Sequence, residues 1–489
     1  MKRNYKIPAN RDQRSLFPDS LEDYVGADNP VRAIDAYVDS LDLALLNFEK
    51  ADGQLTAGQP CYDPGILLKL YIYGYINKVR SSRCLERETH RNLEVLWLMG
   101  KLQPSYKTVS DFRKANAKAL RAVNKDFILM CKELELFGGE VIGIDGSFFN
   151  GNASKGSIHT QKKLDKQLRE LDKKIADYQK QLDDQDRDDD ESGKGSLIEE
   201  PDLAEKLQQL KEKQADKQAL AEQLKATGET QISTTDKDAR LLRKRGQTTA
   251  GFNVQIAVDA KHKLIVGSST CNDGNDSHQL AKMAMQAKAT LDVEELIAVV
   301  DAGYYESDQI KQCEDQQITA YVPVPTVPDR GCYSRDEFVF DAAQNAYICP
   351  QGEQLGQRGK PRKKENKIQR FYSSKPAVCA LCPQREKCLA ENASKRSLYR
   401  WEHEATIERH KERMKGSREW MILRSALAEH PFGTLKRRAG WDHFLVRGLN
   451  KVSGEFSLMT LCYNFTRVIN ILGIELLRKY CEQRKAIAV

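Results

Sequence analysis

Three rhythms of apolar and polar positions succeed one another along this chain. The first, over residues 1–137, is helical. Asn29-Pro30 opens one helix, proline being suited to the first helical position, and Val31, Ile34, Val38, Leu41, Leu45 and Phe48 recur at helical spacing. Tyr62-Asp63-Pro64 opens a second, with Ile66, Leu67, Leu70 and Tyr71 apolar. A third covers 83–98. A fourth starts at the capping-box-like Thr108-Val109-Ser110-Asp111 and runs on through Phe112, Leu120, Val123, Phe127 and Met130.

The second rhythm belongs to strands. Val141-Ile142-Gly143-Ile144 is a short apolar run that delivers Asp145, with the small Gly146 and Ser147 behind it. Leu296-Ile297-Ala298-Val299-Val300 runs in the same way into Asp301-Ala302-Gly303. Apolar runs of this length bounded by turn residues fit buried strands. Residues 252–259 alternate, turn at 260–263 and return as 264–269, a hairpin. Helices at 277–291 and 307–316 and a strand at 318–324 complete the series.

The third rhythm interrupts the second. Leu164, Leu168, Leu171, Ile175, Tyr178 and Leu182 alternate spacings of four and three, the seam of a coiled coil. An acidic break from Asp183 to Pro201 separates them from a weaker run at Leu203, Leu207, Leu210, Ala221 and Leu224. An antiparallel helical hairpin over 160–228 is the simplest structure. It reads either as an arm for dimerisation or for bracing DNA, or as a solvated insertion without chemistry of its own.

With the hairpin set aside, the order is strand, strand, strand, helix, strand, helix, strand. That is an α/β fold with the mixed sheet of a ribonuclease-H-like core, in which the first and fourth strands lie side by side. The domains expected are a helical, DNA-binding N-terminal domain at 1–137, a catalytic core in two pieces at 138–159 and 229–327, the hairpin at 160–228, a cysteine-rich insertion at 328–400, and C-terminal helices at 401–489 that complete the core. The DNA-binding reading of 1–137 rests on Lys78, Arg80, Arg83, Arg87, Lys107, Arg113 and Lys114 around its turns. A solvated helical domain is the alternative.

Composition narrows the picture. No stretch approaches the roughly 18 continuous apolar residues that span a bilayer. Met1 to Lys6 is basic but lacks the apolar run of a signal peptide. A soluble, cytoplasmic protein with no membrane partner is expected, so its 12 cysteines point to thiols or metal ligation rather than disulfides. The net charge is +7; residues 160–228 hold 14 basic and 18 acidic side chains, so the remainder carries +11, compatible with a polyanionic partner.

Two carboxylates at adjacent strand ends suit Mg²⁺ or Mn²⁺, which prefer hard oxygen ligands. Two such ions roughly 3.5–4 Å apart can activate a water or 3′-hydroxyl on one side of a phosphodiester and stabilise the leaving oxygen on the other. A third acid is offered by Glu429 in Glu429-His430-Pro431-Phe432-Gly433-Thr434-Leu435-Lys436, at the end of a helix that starts near Ser417. Lys436, Arg437 and Arg438 follow as contacts for a DNA backbone. His430 reads as a neighbour of the site or a cap, and Trp401 and Trp441 as core residues or base-stacking platforms.

These motifs resemble bacterial insertion-sequence transposases of the DDE type. The resemblance rests on Asp145 in Ile-Asp-Gly-Ser, Asp301 in Val-Asp-Ala-Gly-Tyr, the Glu429–Lys436 segment, and Arg447-Gly448-Leu449-Asn450-Lys451-Val452 through Asn464-Phe465-Thr466-Arg467. It implies metal-dependent cleavage at transposon ends and strand transfer into target DNA. It also implies double-stranded DNA with inverted-repeat ends as partner, and a homodimer or larger assembly on that DNA. In the wider family the glutamate sits in Tyr-x₂-Arg-x₃-Glu-x₆-Lys. Here the Glu429-to-Lys436 interval fits, Ser425 occupies the arginine slot with Arg424 one residue early, and Ile422 occupies the tyrosine slot. Arg424 is carried over as a DNA contact. A nuclease that does not join strands and a catalytically silent DNA-binding regulator are the rival readings.

A second constellation is made of thiols. Cys379-x₂-Cys382-x₅-Cys388, with Cys349 upstream, can supply the four ligands of structural zinc, and Cys332 could replace Cys349. Lys360, Arg362, Lys363 and Lys364 lie between them as candidate phosphate contacts. A set of unligated thiols is the alternative.

Overall fold

The computed structural model describes residues 20–51, 60–192, 200–244, 246–326, 331–364 and 367–488. The basic residues 1–6 and the centre of the acidic break, 193–199, lie outside the described residues.

The chain's strands, in order, are β1 (Val141–Asn150), β2 (Ile158–Thr160), β3 (Gln231–Ser233), β4 (Arg240–Lys244), β5 (Gln247–Asp259), β6 (Ile265–Cys271), β7 (Leu296–Val299) and β8 (Ile318–Tyr321). A second group follows: β9 (Val339–Asp341), β10 (Ala346–Ile348), β11 (Gln354–Lys364), β12 (Lys367–Ser373) and β13 (Ser397–Trp401). The larger sheet runs β4-β5-β1-β7-β8, with β6 also on β5, and the second runs β13-β12-β11-β10-β9. β1, β5 and β6 are antiparallel neighbours, whereas β7 and β8 run parallel to β1. The protein is a mixed α/β structure.

β1 alternates across the sheet. Ile142 and Ile144 are buried in the core formed with the helices Leu280–Leu291 and Ser307–Asp315. Phe149 joins the opposite core, which unites the N-terminal helices, β5 and the C-terminal helix Leu449–Leu472. Residues two apart on a strand share a face, so Gly143, Asp145, Ser147 and Phe149 form one row. A Cβ at Gly143 would lie 2.8 Å from the Leu427 Cβ. Gly143 thus lets the helix Arg418–Phe432 lie close against β1.

The N-terminal helices are more broken than their apolar periodicity suggests. The first ends at Asp39, leaving Leu45 77 % exposed. The 83–98 helix divides at Asn92, whose side chain accepts the Glu94 and Val95 N–H groups and caps a new helix, Leu93–Leu98. The 108–130 helix divides at Asn116, whose side chain bonds the Phe112 carbonyl and the Glu49 N–H. Asn at these positions offers the backbone a partner outside the helical ladder.

Two of the cations assigned to the N-terminal surface are buried. Arg80 and Arg113 face Glu455, which is 0 % exposed; their Nη1 atoms lie 3.9 and 3.6 Å from its carboxylate. Tyr75 Oη donates to Glu455 Oε1 at 2.8 Å, and the Leu445 and Val446 N–H groups donate to Oε2. These residues hold the N-terminal helices to the C-terminal part. They are therefore not surface contacts for DNA.

Residues 161–227 contain two long helices, Gln161–Ser192 and Glu200–Thr227, so the acidic break begins later than its composition suggests. Leu164 packs with Ala221 and Leu224, and Gln214 bonds Asp172 farther along, so the two run antiparallel. Their root is the β2-β3 pair.

Replacing Glu455 by alanine should destabilise the protein by about 3–5 kcal/mol, because two buried guanidinium groups lose their counter-charge. Urea denaturation followed by circular dichroism measures this.

Candidate catalytic site

β1 and β7 pair in parallel from Val141↔Ile297 to Gly143↔Val299. Asp145 and Asp301 each stand two residues past that last pair, at equivalent positions on neighbouring strands. The sequence-based expectation put Asp145 at a strand end. In the structure β1 continues to Asn150, with Asp145 opposite Ile256 of β5, and only its pairing with β7 has stopped. Asp301 leaves its strand and caps the short 3₁₀ helix Ala302–Tyr304, its Oδ1 accepting the Ala302 N–H at 2.8 Å.

Asp145 is largely buried, and its Oδ1 accepts the Gly146 N–H at 2.8 Å. Burial pushes its carboxyl up to about 6. The Gly146 N–H, Lys244 and Arg424 act in the opposite direction, and Asp276 adds to the rise. Lys436 stands next to it. Its Nζ donates to Ser147 Oγ and to the Phe148 carbonyl, both at 2.6 Å, and lies over the Phe149 ring. Burial lowers this ammonium to about 8, with Asp442 and Asp145 holding the proton against it. Lys436 therefore braces β1 in this structure, while Arg437 and Arg438 are exposed. Arg424 is half-buried and near enough to Asp145 to lower its pKa.

Glu429 does not join the pair. It is exposed on the helix Arg418–Phe432, and Ser425 Oγ lies 3.5 Å from its Oε1. Among the described residues, no three His, Cys, Asp or Glu side chains are grouped so as to hold a metal ion. The backbone after Glu429 is irregular. Pro431 removes a helical N–H, and Gly433–Arg438 winds as a π-helix.

One acid escaped the sequence reading. Asp276 is buried, and its Oδ1 accepts from Asn253 Nδ2 at 2.8 Å and Gln255 Nε2 at 2.7 Å; Lys244 Nζ lies 3.4 Å from its Oδ2. Tyr304 Oη donates to Gln255 Oε1, and its hydroxyl is held well above the usual range by burial, then by Asp276, Asp145 and Asp301. A Cβ at Gly146 would collide with Gln255 Nε2 and come 2.7 Å from Asp276 Oδ1, so only glycine fits over this network. Asp276 stands in the polar turn Asn272-Asp273-Gly274-Asn275-Asp276, where nothing local sets it apart. The usable signal was Asn253 and Gln255, two polar side chains inside an apolar strand that required a buried partner.

Elsewhere, His430 Nδ1 lies 3.0 Å from Tyr463 Oη and its Nε2 3.4 Å from Arg467, ties within the C-terminal helices. Trp401 and Trp441 are buried. All twelve cysteines are free thiols. Burial raises the Cys388 thiol, with Arg396 opposing and Cys379, Cys349 and Cys382 contributing, so these three thiols lie within electrostatic reach of Cys388 without being gathered into a metal site. Cys349 Sγ lies 3.3 Å from the Glu353 nitrogen, whereas Cys332 is exposed. No helix among the described residues is long and apolar enough to cross a membrane.

Two protein-family models match the chain: "Transposase domain (DUF772)" over residues 19–115 and "Transposase DDE domain" over residues 223–465. Together they cover well over half of it, and the chain belongs to the DDE transposases. It is a DNA transposase. Asp301, Glu429 and Lys436 fall inside the second match, and Asp145 lies between the two. No curated protein matches in sequence. Among solved structures, piggyBac transposase in a synaptic complex with hairpin DNA aligns with 94 % of this chain and 80 % of its own, at 9 % identity and a TM-score of 0.34.

A carboxyl whose folded pKa is raised stabilises the fold below its unfolded pKa and loses that contribution as pH rises through the folded value. Asp145→Asn should therefore be more stable than the parent above pH 6, by on the order of 2–3 kcal/mol. The gap between their urea midpoints should widen from pH 5 to pH 7.5.

Proposed function

We propose that this transposase cuts DNA at the ends of a mobile element and joins the freed 3′ ends to target DNA, using Asp145, Asp301 and Glu429 as its acids. The observation that carries the reading is the parallel register of β1 and β7, in which Asp145 and Asp301 each follow two residues after the last pair. The sheet order supports it: β6, β5 and β1 form an antiparallel meander and β7 and β8 add in parallel, the arrangement of a ribonuclease-H-like core.

The donor set fits divalent ions. Asp145 is a buried carboxylate pushed up to about 6, a state that a nearby cation relieves. Asp145, Asp301 and Glu429 would hold Mg²⁺ or Mn²⁺, which supply Lewis-acid polarisation of the phosphodiester and a more acidic bound water. Asp145 and Asp301 offer oxygen ligands on one face of the sheet. Glu429 is apart from them, so DNA is needed to complete the site, and the irregular turns after Pro431 are where the helix can adjust. Lys436, kept protonated beside Asp145, adds positive potential next to the cut. Arg437 and Arg438 are free to meet backbone phosphates, and Arg424 reaches from the same helix. The reaction requires two ends, and a homodimer or larger assembly on double-stranded DNA would bring them together. The expected setting is the cytoplasm, with the antiparallel hairpin as an arm of that assembly.

The electrostatic reach of Cys349, Cys379 and Cys382 to Cys388 supports a structural zinc site whose ligands would draw together around the ion, and the exposure of Cys332 favours Cys349 as the fourth ligand. Four thiolates satisfy tetrahedral zinc and would tie β10 to the short helices Pro376–Ala380 and Arg385–Cys388.

Labelled end oligonucleotides with Mg²⁺ test the reading. Joined products support the transposase mechanism; cutting alone would make the chain a nuclease, and binding alone a regulator. Asp145→Ala should lower cleavage by at least about 10³-fold while leaving DNA affinity within a few-fold, given the several kcal/mol that metal-held charge contributes. Elemental analysis of purified protein should find about one zinc per chain, falling on Cys382→Ser substitution.

A further inference from the structure

The second sheet carries a feature that the catalytic reading leaves unused. β11 and β12 pair antiparallel as a ribbon, from Gly356↔Ser373 to Lys364↔Lys367. Beyond Gly356, β11 has left its other neighbour, β10, so its outer edge is open. Arg358, Lys360, Arg362, Lys363, Lys364 and Arg370 are all exposed on this ribbon, and among the described residues none of the six is ion-paired. In sequence, residues 358–364 contain five cations and no acid. An open edge can be guarded against aggregation by one charge or a proline, and Pro361 already supplies that protection. Five cations without an ion pair among the described residues exceed what protection requires. They also repel one another, a cost that persists unless a polyanion binds.

The ribbon's position matters as much as its charge. Lys367, opposite Lys364 in the ladder, is ion-paired to Glu306 at 2.7 Å and to Asp308 at 3.3 Å. Those acids follow directly on the turn that begins at Asp301. Trp401 of β13, which pairs with Gln369, belongs to the core on the helical face of the catalytic sheet. The cationic end of the ribbon is thus fastened to the segment that follows Asp301.

We propose that the β11–β12 ribbon is a double-stranded DNA-binding arm that grips backbone phosphates next to the catalytic site. A two-stranded ribbon is of a size that the major groove of B-DNA admits, and its arginines and lysines match the phosphate charge. The proposal rests on DNA being the substrate of the catalytic site. It assigns to the ribbon affinity and register rather than base recognition, because flexible lysines read charge and not sequence.

The test uses the full-length protein, a labelled duplex of element-end sequence and one of unrelated sequence, and a titration of salt. Replacing Lys360, Arg362, Lys363 and Lys364 by glutamine should weaken both duplexes by at least about tenfold at 0.1 M salt. It should also flatten the slope of log K against log salt by about 3.6, at roughly 0.9 per lost phosphate contact. The variant Lys360→Arg, Lys363→Arg, Lys364→Arg should keep the parent slope, which a merely structural role of these side chains would not predict. Asp145→Ala should also keep it, separating the arm from the chemistry. An unchanged slope in the glutamine variant would overturn the arm while leaving the catalytic reading standing. Absence of duplex binding by the parent protein would overturn both. A parent preference for single strands that the glutamine variant loses would overturn the duplex assignment.

Discussion

The parallel ladder between β1 and β7 is only three residue pairs long, yet the site depends on it. Parallel neighbours cannot be joined by a tight turn, so the chain between them must cross over. In this protein the crossover holds the helical hairpin, the strands β4, β5 and β6, and a helix. The register survives because both strands are buried on both faces. A slip by one residue would turn Ile142 and Ile144 out of one core and drive Asp145 into it. Apolar packing on one side of β1 thereby dictates where the carboxylates emerge on the other.

That arrangement puts charge where burial disfavours it. Asp145 sits on a sheet face under a helix, and Asp276 sits against the opposite face at Gly146, so two acids flank one strand. Lys436, Lys244 and Arg424 offset part of the cost without forming a direct ion pair to Asp145.

Rigidity comes from the way the chain's two ends close on the sheet. Glu455 accepts hydrogen bonds from the first helical region and from the loop before its own helix, and it faces two buried arginines. One residue earlier, a Cβ at Gly454 would lie 2.7 Å from the Ala117 Cα, so two helices meet at backbone distance. The N-terminal helices consequently share one hydrophobic core with the C-terminal helices and the face of the sheet that carries Phe149. The second sheet has its own small core around Tyr347 and Tyr372, which leaves its long ribbon solvated.

Periodicity alone located nearly all the strands and helices of the larger sheet, because apolar alternation is a local consequence of which face is buried. The two Asp-bearing strands, the hairpin insertion and the cluster of cysteines were legible for the same reason: each is a pattern within a few dozen residues. Local patterns could not show that the helices break at Asn92 and Asn116, where side chains compete for backbone groups. Nor could they show that Arg80 and Arg113 turn inward, since their partner, Glu455, lies hundreds of residues away in sequence. Asp276 was hidden by the same distance: its meaning lies in Asn253, Gln255 and Tyr304, which only the folded sheet brings to it. The sequence by itself determined which residues could carry the chemistry. The tertiary structure decided how they are placed: Asp145 and Asp301 each two residues past the last β1–β7 pair, Lys436 bound to β1, and Glu429 exposed on its helix. Convergence of side chains depends on register and packing, and these are properties of the whole fold.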